Sequence, residues 1–392
     1  MVVLRKLAAS LAVSSFIGAA VAHPGDSEEV VKYERSMHKH AQAGARRAIT
    51  GCATTPKAAA LKARSVARRT ATAQALREKR GLVEKRMISK RGQAELEKYL
   101  NITHDASAAG FSLDTPLDVI FDSNSTAALV PEVTIGPYWV AGELIRVDVT
   151  DNEPGVPVHL DLQFIDVNTC AAIPNMLIDI WHCNSTGVYS GISMMGQGGL
   201  NSTYGRGVQT TDEDGVVQFD TIFPGHYQGR TPHIHLMSTE NATVLPNKTY
   251  VTDGKTNHIG QLFFDQSLID AVEKLPPYNT NKQPLTLNIN DGIDAQTSTA
   301  EYDPFADYVQ LGDDLQDGLL AYITVFVDTK ANQTAYARPA AHYYEGGGVA
   351  SPGGGFPGGP GFPPGGPGFP PGGPGGPPGG TFPPPPNSTR VP

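Results

Sequence analysis

Two histidines separated by one residue, His233 and His235, have a spacing that would let both bind one metal ion. They lie in the strand-like run Pro232–Met237, and residues i and i+2 of a strand point to the same face. Both imidazoles can therefore reach one metal ion, while Ile234 points to the opposite face and into a core. Such a pair is more often two structural histidines that bond to neighbouring groups, so it needs further ligands to indicate a metal site.

Two tyrosines, Tyr227 and Tyr189, extend the pair to four candidate metal ligands. Tyr227 precedes His233 by six residues in a loop rich in Gly and Pro, and functional side chains often lie on such loops. Tyr189 ends the segment Trp181–Tyr189. A highly charged cation favours phenolate by promoting loss of a proton whose ordinary pKa is about 10. Two phenolates and two neutral imidazoles would offset most of a ferric charge and leave a coordination position for solvent or substrate.

The part of the chain that must position these residues, residues 106–345, has the pattern of an all-β fold. In Val158–Ile165 every second residue is apolar, which places the apolar side chains on one face of a strand. Further strands are predicted at Leu144–Val149, Met176–Cys183, Val216–Phe219, Thr231–Ser238, His258–Phe264 and Leu320–Val327. Many short strands separated by turn sequences favour an antiparallel β-sandwich or barrel.

Four motifs of the sequence resemble those of the intradiol ring-cleavage dioxygenases, especially of their secreted fungal members. In chain order they are Gly136-Pro137-Tyr138, Asp179–Ser190, Thr211–Gly215 and Gly225–His235. They contain all four candidate ligands in the family's order and spacing, and the resemblance extends over about residues 110–345. It implies a β-sandwich catalytic domain and Fe(3+) as the cofactor.

The resemblance also implies a role for each candidate ligand. Tyr189 and His233 would be equatorial ligands, and Tyr227 and His235 would be axial. A catechol would chelate the ferric ion through both oxygens, and Tyr227 would leave the metal and act as a base. Cleavage by O2 between the two hydroxylated carbons would give a muconate-type diacid.

Four further residues receive their interpretation from the same resemblance. Arg230 matches the family arginine three residues before the first histidine, which stabilises charge on the bound substrate. Gln261 matches the family's active-site glutamine. His182 and His226 match no ligand position, so we expect both to be structural.

Three other functions remain open from the sequence. A cupin-type oxidase would use His233, His235 and Glu240, although Glu240 directly precedes a glycosylation signal at Asn241. A processed N-terminal His23 could chelate copper through its amine and ring. A secreted wall- or polymer-binding protein could retain an inactive dioxygenase-like fold.

Residues 1–22 have the pattern of a secretory signal peptide. Arg5 and Lys6 precede an apolar run that is too short to span a bilayer, and Ala20-Val21-Ala22 is a typical cleavage sequence. Eight Asn-x-Ser/Thr signals agree with export; they begin at Asn101, Asn124, Asn184, Asn201, Asn241, Asn247, Asn332 and Asn387. We therefore expect an extracellular glycoprotein whose partners are an aromatic diol and O2, with no nucleic acid and no membrane.

Residues 23–105 differ from the rest of the chain in charge. Residues 1–100 carry a net charge of +12 from Lys, Arg, Asp and Glu, whereas the remainder carries −21. Ala58–Arg69 and Thr72–Lys85 favour helix by composition. Lys-Arg pairs begin at Lys79, Lys85 and Lys90. The region is either a basic helical accessory region or a pro-segment that a dibasic protease removes.

The three cysteines and the C-terminal tail complete the predictions. In an oxidising compartment we expect a Cys170–Cys183 disulfide, with Cys52 unpaired or removed. Residues 346–392 are dominated by Gly, Pro and Phe without glycine at every third position, which indicates a disordered tail rather than collagen. The sequence leaves the particular diol and the oligomeric state undetermined.

Overall fold

The computed structural model describes residues 52, 55–82, 127–128, 133, 135–246, 248–294, 303–344 and 346–352. The predicted signal peptide, most of the predicted tail and the pairs at Lys85 and Lys90 lie outside these residues. The helices are α1 (Pro56–Lys79) and α2 (Gln266–Val272), with 3-10 turns at Tyr278–Thr280, Asn288–Asn290, Leu315–Asp317 and Thr334–Tyr336. The strands are β1 (Ala127–Ala128), β2 (Val140–Ala141), β3 (Pro157–Asp166), β4 (Leu177–Trp181), β5 (Arg206–Thr210), β6 (Val216–Ile222), β7 (His233–Thr239), β8 (Ala242–Val244), β9 (Tyr250–Thr252), β10 (Thr256–Phe263), β11 (Asp307–Gln310), β12 (Leu319–Val327), β13 (Ala341–Tyr344) and β14 (Gly347–Ala350).

Two sheets form a β-sandwich, as the family resemblance implied. The expectation of a purely antiparallel arrangement was wrong, because β3 pairs in parallel with β12 and antiparallel with β6. One sheet has the order β1-β12-β3-β6, with β11 also paired to β12; we call it the helix-covered sheet because α1 packs against it. The other has the order β10-β7-β4-β5, and we call it the ligand sheet because it carries both candidate histidine ligands. Smaller sheets, β14-β13-β2 and β8-β9, flank them. β13 and β14 extend the ordered strands to Ala350, into the segment predicted as tail.

The core lies between the two sheets and follows the alternation of their strands. Leu160 and Leu162 of β3 are fully buried against Ile234 and Leu236 of β7 in one apolar cluster. Because neighbouring residues of a strand face opposite sides, the histidines of β7 are turned away from this core. The sandwich thus presents the histidines on the other face of the ligand sheet.

Most of the predicted strands are present, but Leu144–Val149 is not a regular strand. Its residue Ile145 forms a single bridge to Val208 of the ligand sheet, and Asp148 forms one to Asp220 of the helix-covered sheet. A segment that crosses from one sheet to the other cannot keep a hydrogen-bond ladder with either. Its apolar residues accordingly do not share one buried face, since Val147 is exposed and Val149 is fully buried, and the strand assignment was wrong.

Helix α1 is one continuous helix rather than two helical stretches. The Thr55 hydroxyl caps its start by accepting the Ala58 N–H at 3.1 Å, and Pro56 stands at the first helical position, where its missing N–H costs nothing. Arg77 and Lys79 lie in the last turn, next to the negative end of the helix dipole. The described part of α1 therefore has start and stop signals of its own.

Helix α1 buries a polar stripe of β3. Arg68 and Arg69 both donate to the Asp161 carboxylate, at 2.9 and 3.0 Å, and Ser65 donates to Gln163 at 2.7 Å. Burial alone would raise the pKa of Asp161, but the two guanidinium groups hold it well below its ordinary value. Asp161 and Gln163, the polar residues that alternate with the apolar residues of β3, are thus covered by helix α1.

A disulfide joins the N-terminal region to the sandwich, and it is not the predicted one. Cys52 bonds to Cys170 with a Cα–Cα distance of 5.2 Å, whereas Cys183 is a buried free thiol. Cys170 lies in the turn after β3, but Cys183 follows β4 in the ligand sheet and donates to the Gly225 carbonyl at 3.2 Å. The predicted Cys170–Cys183 pairing was wrong because the two cysteines, although close in sequence, follow strands of different sheets. Among the described residues, no helix is long and apolar enough to cross a membrane.

Candidate active site

The two histidines meet on the face of the ligand sheet that is turned away from the core. Each is 1 % exposed, and their Nε2 atoms face each other at 3.1 Å. Ile234, between them, is fully buried in the core cluster. The structure therefore gives the arrangement predicted from the i, i+2 spacing.

The neighbours of the histidines fix how the rings are oriented. His233 donates from Nδ1 to the Thr231 carbonyl at 2.6 Å, which places its proton on Nδ1 and its lone pair on Nε2. The Trp181 ring stacks on His235 with centroids 4.7 Å apart and planes at 8°. Both Nε2 atoms therefore face the same point. Trp181 holds the His235 ring by stacking, a role that the sequence did not predict.

Both candidate tyrosines join this pair. The Tyr227 hydroxyl lies 3.4 Å from His233 Nε2, and its ring centroid is 5.6 Å from that of Tyr189. The Tyr189 ring lies 6.4 Å from His235. The four predicted ligands, from two loops and one strand, therefore form one cluster.

The electrostatics of the two phenols fit a site for a strongly charged cation. Burial raises the pKa of Tyr189 and of Tyr227 above the ordinary phenol value, whereas Arg230 acts in the opposite direction. Without a further positive charge both phenols would stay protonated, and a bound cation would reverse this. A hard, highly charged ion is matched by two such oxygens and two imidazole nitrogens. Among the described residues, no group of three or more His, Cys, Asp or Glu could hold a metal.

The turn before Tyr189 is built by Asn184 and Gly187. The Asn184 side-chain oxygen accepts the N–H groups of Thr186 and Val188 at 3.0 and 3.1 Å. Gly187 has a φ of +79°, and a Cβ there would lie 2.1 Å from the His226 carbonyl oxygen, so only glycine fits. This close approach holds the Tyr189 segment against the Tyr227 loop.

Arg230 and Gln261 contact each other beside the ligands. Gln261 lies on β10 directly opposite His235 of β7, and its side-chain oxygen accepts from Arg230 at 2.5 Å. Arg230 also donates from Nε to Asp291 at 2.8 Å. Burial would raise the pKa of the Asp291 carboxyl, but the Arg230 charge lowers it. Asp291 follows a 3-10 turn far from every motif, and no sequence signal marked it.

A second support, Tyr138, covers Tyr189. Their ring centroids are 4.5 Å apart, and Tyr138 also lies 6.4 Å from Tyr227. The next residue, Trp139, donates from its indole to the buried Asp179 carboxylate at 2.7 Å, which anchors the loop. The Gly136-Pro137-Tyr138 motif thus closes one side of the cluster, a role that the sequence did not assign.

The two other histidines of the motifs bond elsewhere. His182 donates to the Cys183 carbonyl at 2.8 Å and accepts from Thr221 at 2.7 Å, and burial lowers its pKa to about 4. His226 bonds to Glu273 at 2.8 Å and to the Gln283 carbonyl at 2.9 Å. Both are structural, as expected.

Glu240 does not join the histidines. It follows the end of β7, five residues from His235, which corresponds to about 16 Å along an extended strand. Its carboxylate lies 3.5 Å from the Lys255 ammonium on the neighbouring hairpin. The cupin-type ligand set is therefore not assembled.

Comparisons with known proteins find dioxygenases among those similar to this chain. Residues 136–245 match the family model described as Dioxygenase, while a search of curated proteins finds no match. Among solved structures, an intradiol ring-cleavage dioxygenase from Tetranychus urticae is 29% identical, over 54% of this chain and 100% of that chain, with a TM-score of 0.43. The dioxygenase domain of a carbohydrate-binding fusion protein from Streptomyces sp. SirexAA-E is 24% identical, over 51% and 98%, with a TM-score of 0.32. Catechol 1,2-dioxygenase from Pseudomonas arvilla C-1 is 18% identical, over 51% and 62%, with a TM-score of 0.34.

The match to residues 136–245 confirms the resemblance found in the sequence. It includes all four candidate ligands and Arg230, but ends before Gln261 and Asp291. Since all three TM-scores are below 0.5, the description of the site rests on its own geometry.

Proposed function

We propose that this chain, similar to the intradiol ring-cleavage dioxygenases, is a ferric dioxygenase that cleaves catechol-type rings between the hydroxylated carbons. The observation that supports this most directly is the convergence of Tyr189, Tyr227, His233 and His235 on one buried point. A binding module would have no use for this ligand set, so the inactive wall- or polymer-binding protein is the second candidate.

The overall reaction needs no other reactant than the diol and O2. The carbon–carbon bond between the two hydroxylated carbons breaks, and both atoms of O2 enter the product as part of two carboxyl groups. The diacid thus contains every atom of the diol and of O2, and no external electron donor is needed. A bound ferric ion supplies Lewis acidity that promotes ionisation of the diol and makes the ring reactive toward O2.

The residues of this chain would divide the remaining tasks. Tyr227 is partly exposed whereas Tyr189 is fully buried, so the Tyr227 hydroxyl is the one that an entering diol could reach and whose oxygen could take up a diol proton. Arg230, held by Asp291 and Gln261, would stabilise negative charge on the substrate oxygens. His235, stacked on Trp181, and Tyr189, under Tyr138, would stay fixed.

The test is the visible absorption spectrum of the iron-loaded protein, before and after catechol is added without oxygen. A tyrosinate-to-iron band that shifts with catechol, followed by diacid formation when O2 is admitted, is the expected result. A shift without product would favour the inactive binding protein. Failure to bind ferric iron in any tested condition would contradict the proposal.

We further propose that the protein is secreted. The signal-peptide pattern and the eight glycosylation signals support export, and a Cys52–Cys170 disulfide is typical of an oxidising compartment. Intact mass and N-terminal sequencing of protein from the culture medium test this: we expect a new N-terminus after Ala22 and attached glycans. Exclusive recovery inside the cells would contradict it.

A further inference from the structure

We propose that Asp291 is a positioning residue that aims the Arg230 guanidinium at the substrate; this inference rests on the proposed function. Asp291 is fully buried and lies 61 residues from Arg230 in the chain. It belongs to none of the motifs that carry the family resemblance. Its role follows from the hydrogen bonds of its carboxylate.

The guanidinium of Arg230 is held on two of its three nitrogens. Nε donates to Asp291 at 2.8 Å, and one terminal nitrogen donates to Gln261 at 2.5 Å. The other terminal nitrogen, NH1, is buried and has no hydrogen-bond partner in the part of the chain that the structure describes. A buried donor without a partner is costly, and a substrate oxygen beside the ligand cluster would satisfy it.

The same Asp291 oxygen also holds the backbone next to the ligands. Oδ2 accepts the Thr231 N–H at 2.8 Å in addition to Arg230 Nε. The Thr231 carbonyl in turn accepts from His233 Nδ1 at 2.6 Å. One carboxylate oxygen therefore sets the direction of Arg230 and supports the residue that orients a ligand histidine.

The other oxygen makes the position specific for a carboxylate. Oδ1 accepts the N–H groups of Ile293 and Asp294 at 2.8 and 3.1 Å. Asparagine has only one acceptor oxygen and an NH2 donor. In either orientation of its amide, Asp291→Asn would face one pair of N–H groups with another donor, and Arg230 would lose its counter-charge.

A double-mutant cycle separates positioning from a merely structural role. We compare the wild type, Asp291→Asn, Arg230→Ala and the double variant, each loaded with ferric iron and mixed with catechol and then O2. A guanidinium displaced by about 1 Å can lower the rate about 100-fold. We expect this loss for Asp291→Asn alone, with iron content and anaerobic catechol affinity changed less than about threefold. In the Arg230→Ala background the same substitution should add less than about threefold, because its partner is absent.

Asp166→Asn is the matched control. Asp166 is also a buried aspartate that caps a turn, since it accepts the Asn168 N–H at 3.1 Å, but it lies at the end of β3 in the other sheet. We expect turnover within about twofold of the wild type for this variant. A comparable loss of turnover in Asp166→Asn would show that replacing any buried turn-capping aspartate disturbs the site.

Several outcomes would overturn the role of Asp291. They are an equal loss in both backgrounds, an unchanged rate for Asp291→Asn, or loss of most of the iron, which would make support of the His233 segment, rather than the direction of Arg230, the main role. If Asp291→Asn does not fold, Asp291→Glu decides, because it keeps the acceptors and shifts the guanidinium: wild-type turnover would contradict the inference. Failure of the proposed function is distinguishable, since a wild type without the iron band or turnover rejects it whatever the variants do.

Discussion

Two buried arginine–aspartate clusters in this molecule share their chemistry but differ in what they order. Under helix α1, Arg68 and Arg69 converge on Asp161, and Gln218 adds a further donor at 2.9 Å. At the candidate site a single arginine meets Asp291. In the part of the chain that the structure describes, each of the three arginines keeps one buried nitrogen without a hydrogen-bond partner, so the two clusters differ in their surroundings rather than in this feature. The first cluster fastens a helix to a sheet, whereas the second holds a guanidinium beside the candidate ligands. A buried ion pair is therefore informative through the groups it orders, because its own net contribution to stability is small or even unfavourable.

The largest loss of activity is expected from substitution of a candidate ligand, which would test directly whether the second cluster lies beside a metal site. Tyr227→Phe removes an oxygen ligand but keeps the ring that packs against Tyr189. Substituting even the groups behind the ligands of a metal costs about 10–100-fold in metal affinity or activity, so we expect more than about 100-fold weaker iron binding and loss of turnover. Iron titration, followed by the visible band, measures this, and unchanged melting would show that the fold is retained. Wild-type iron affinity would remove Tyr227 from the ligand set.

Asp161→Asn tests the helix cluster as a purely structural element. Both arginines would be left buried without a counter-charge, and breaking a buried pair in this way costs about 3–5 kcal/mol. Chemical denaturation should show this loss, while kcat and KM for catechol stay at wild-type values. A lower kcat at full folding would mean that the two clusters are coupled.

Asp161 also predicts a pH dependence. Its pKa in the folded protein lies well below the ordinary value, so its stabilising contribution is complete above about pH 4 and is lost as the pH falls toward the folded-state pKa. We expect the difference in unfolding free energy between wild type and Asp161→Asn to be constant from about pH 5 to 7 and to shrink below about pH 4. A difference that instead shrinks as the pH rises would contradict the ion pair.

Cys52→Ser tests how far the disulfide, rather than the ion pairs, fastens α1. The bond closes a loop with a sequence separation of 118 residues, and such crosslinks contribute about 2–4 kcal/mol. We expect a lower melting temperature with unchanged turnover. A dibasic protease would cleave after Arg86 or Arg91. From the wild type, the N-terminal fragment would then separate only on a reducing gel. From Cys52→Ser it would separate on reducing and non-reducing gels alike. Release from the wild type without reduction would support a removed pro-segment.

The smallest effect should come from an ion pair on the same helix that is exposed. Arg64 bonds to Asp214 at 2.9 Å with 54% of its side chain accessible, and water and salt weaken such a pair. Arg64→Ala should leave the melting temperature within experimental error of the wild type. A clear decrease would show that burial is not what separates the strong contacts of α1 from the weak ones.

The sequence by itself determined most strands of the two main sheets and the four candidate ligands. Alternation of apolar residues marked β3, and the same period of two placed His233 and His235 on one face of β7, because side chains of a strand alternate in any fold. The motif around Tyr189 identified the second tyrosine without any structure. These are local properties, so a short stretch of sequence contains all the information they need.

Only the tertiary structure decided which distant residues meet. Asp291 reaches Arg230 across 61 residues, Cys52 rather than Cys183 reaches Cys170, and α1 covers the polar face of β3. Each depends on which loop or helix lies above which sheet. The spacing of residues within one segment does not show which loop or helix covers which sheet, because that arrangement results from packing the whole chain around one core.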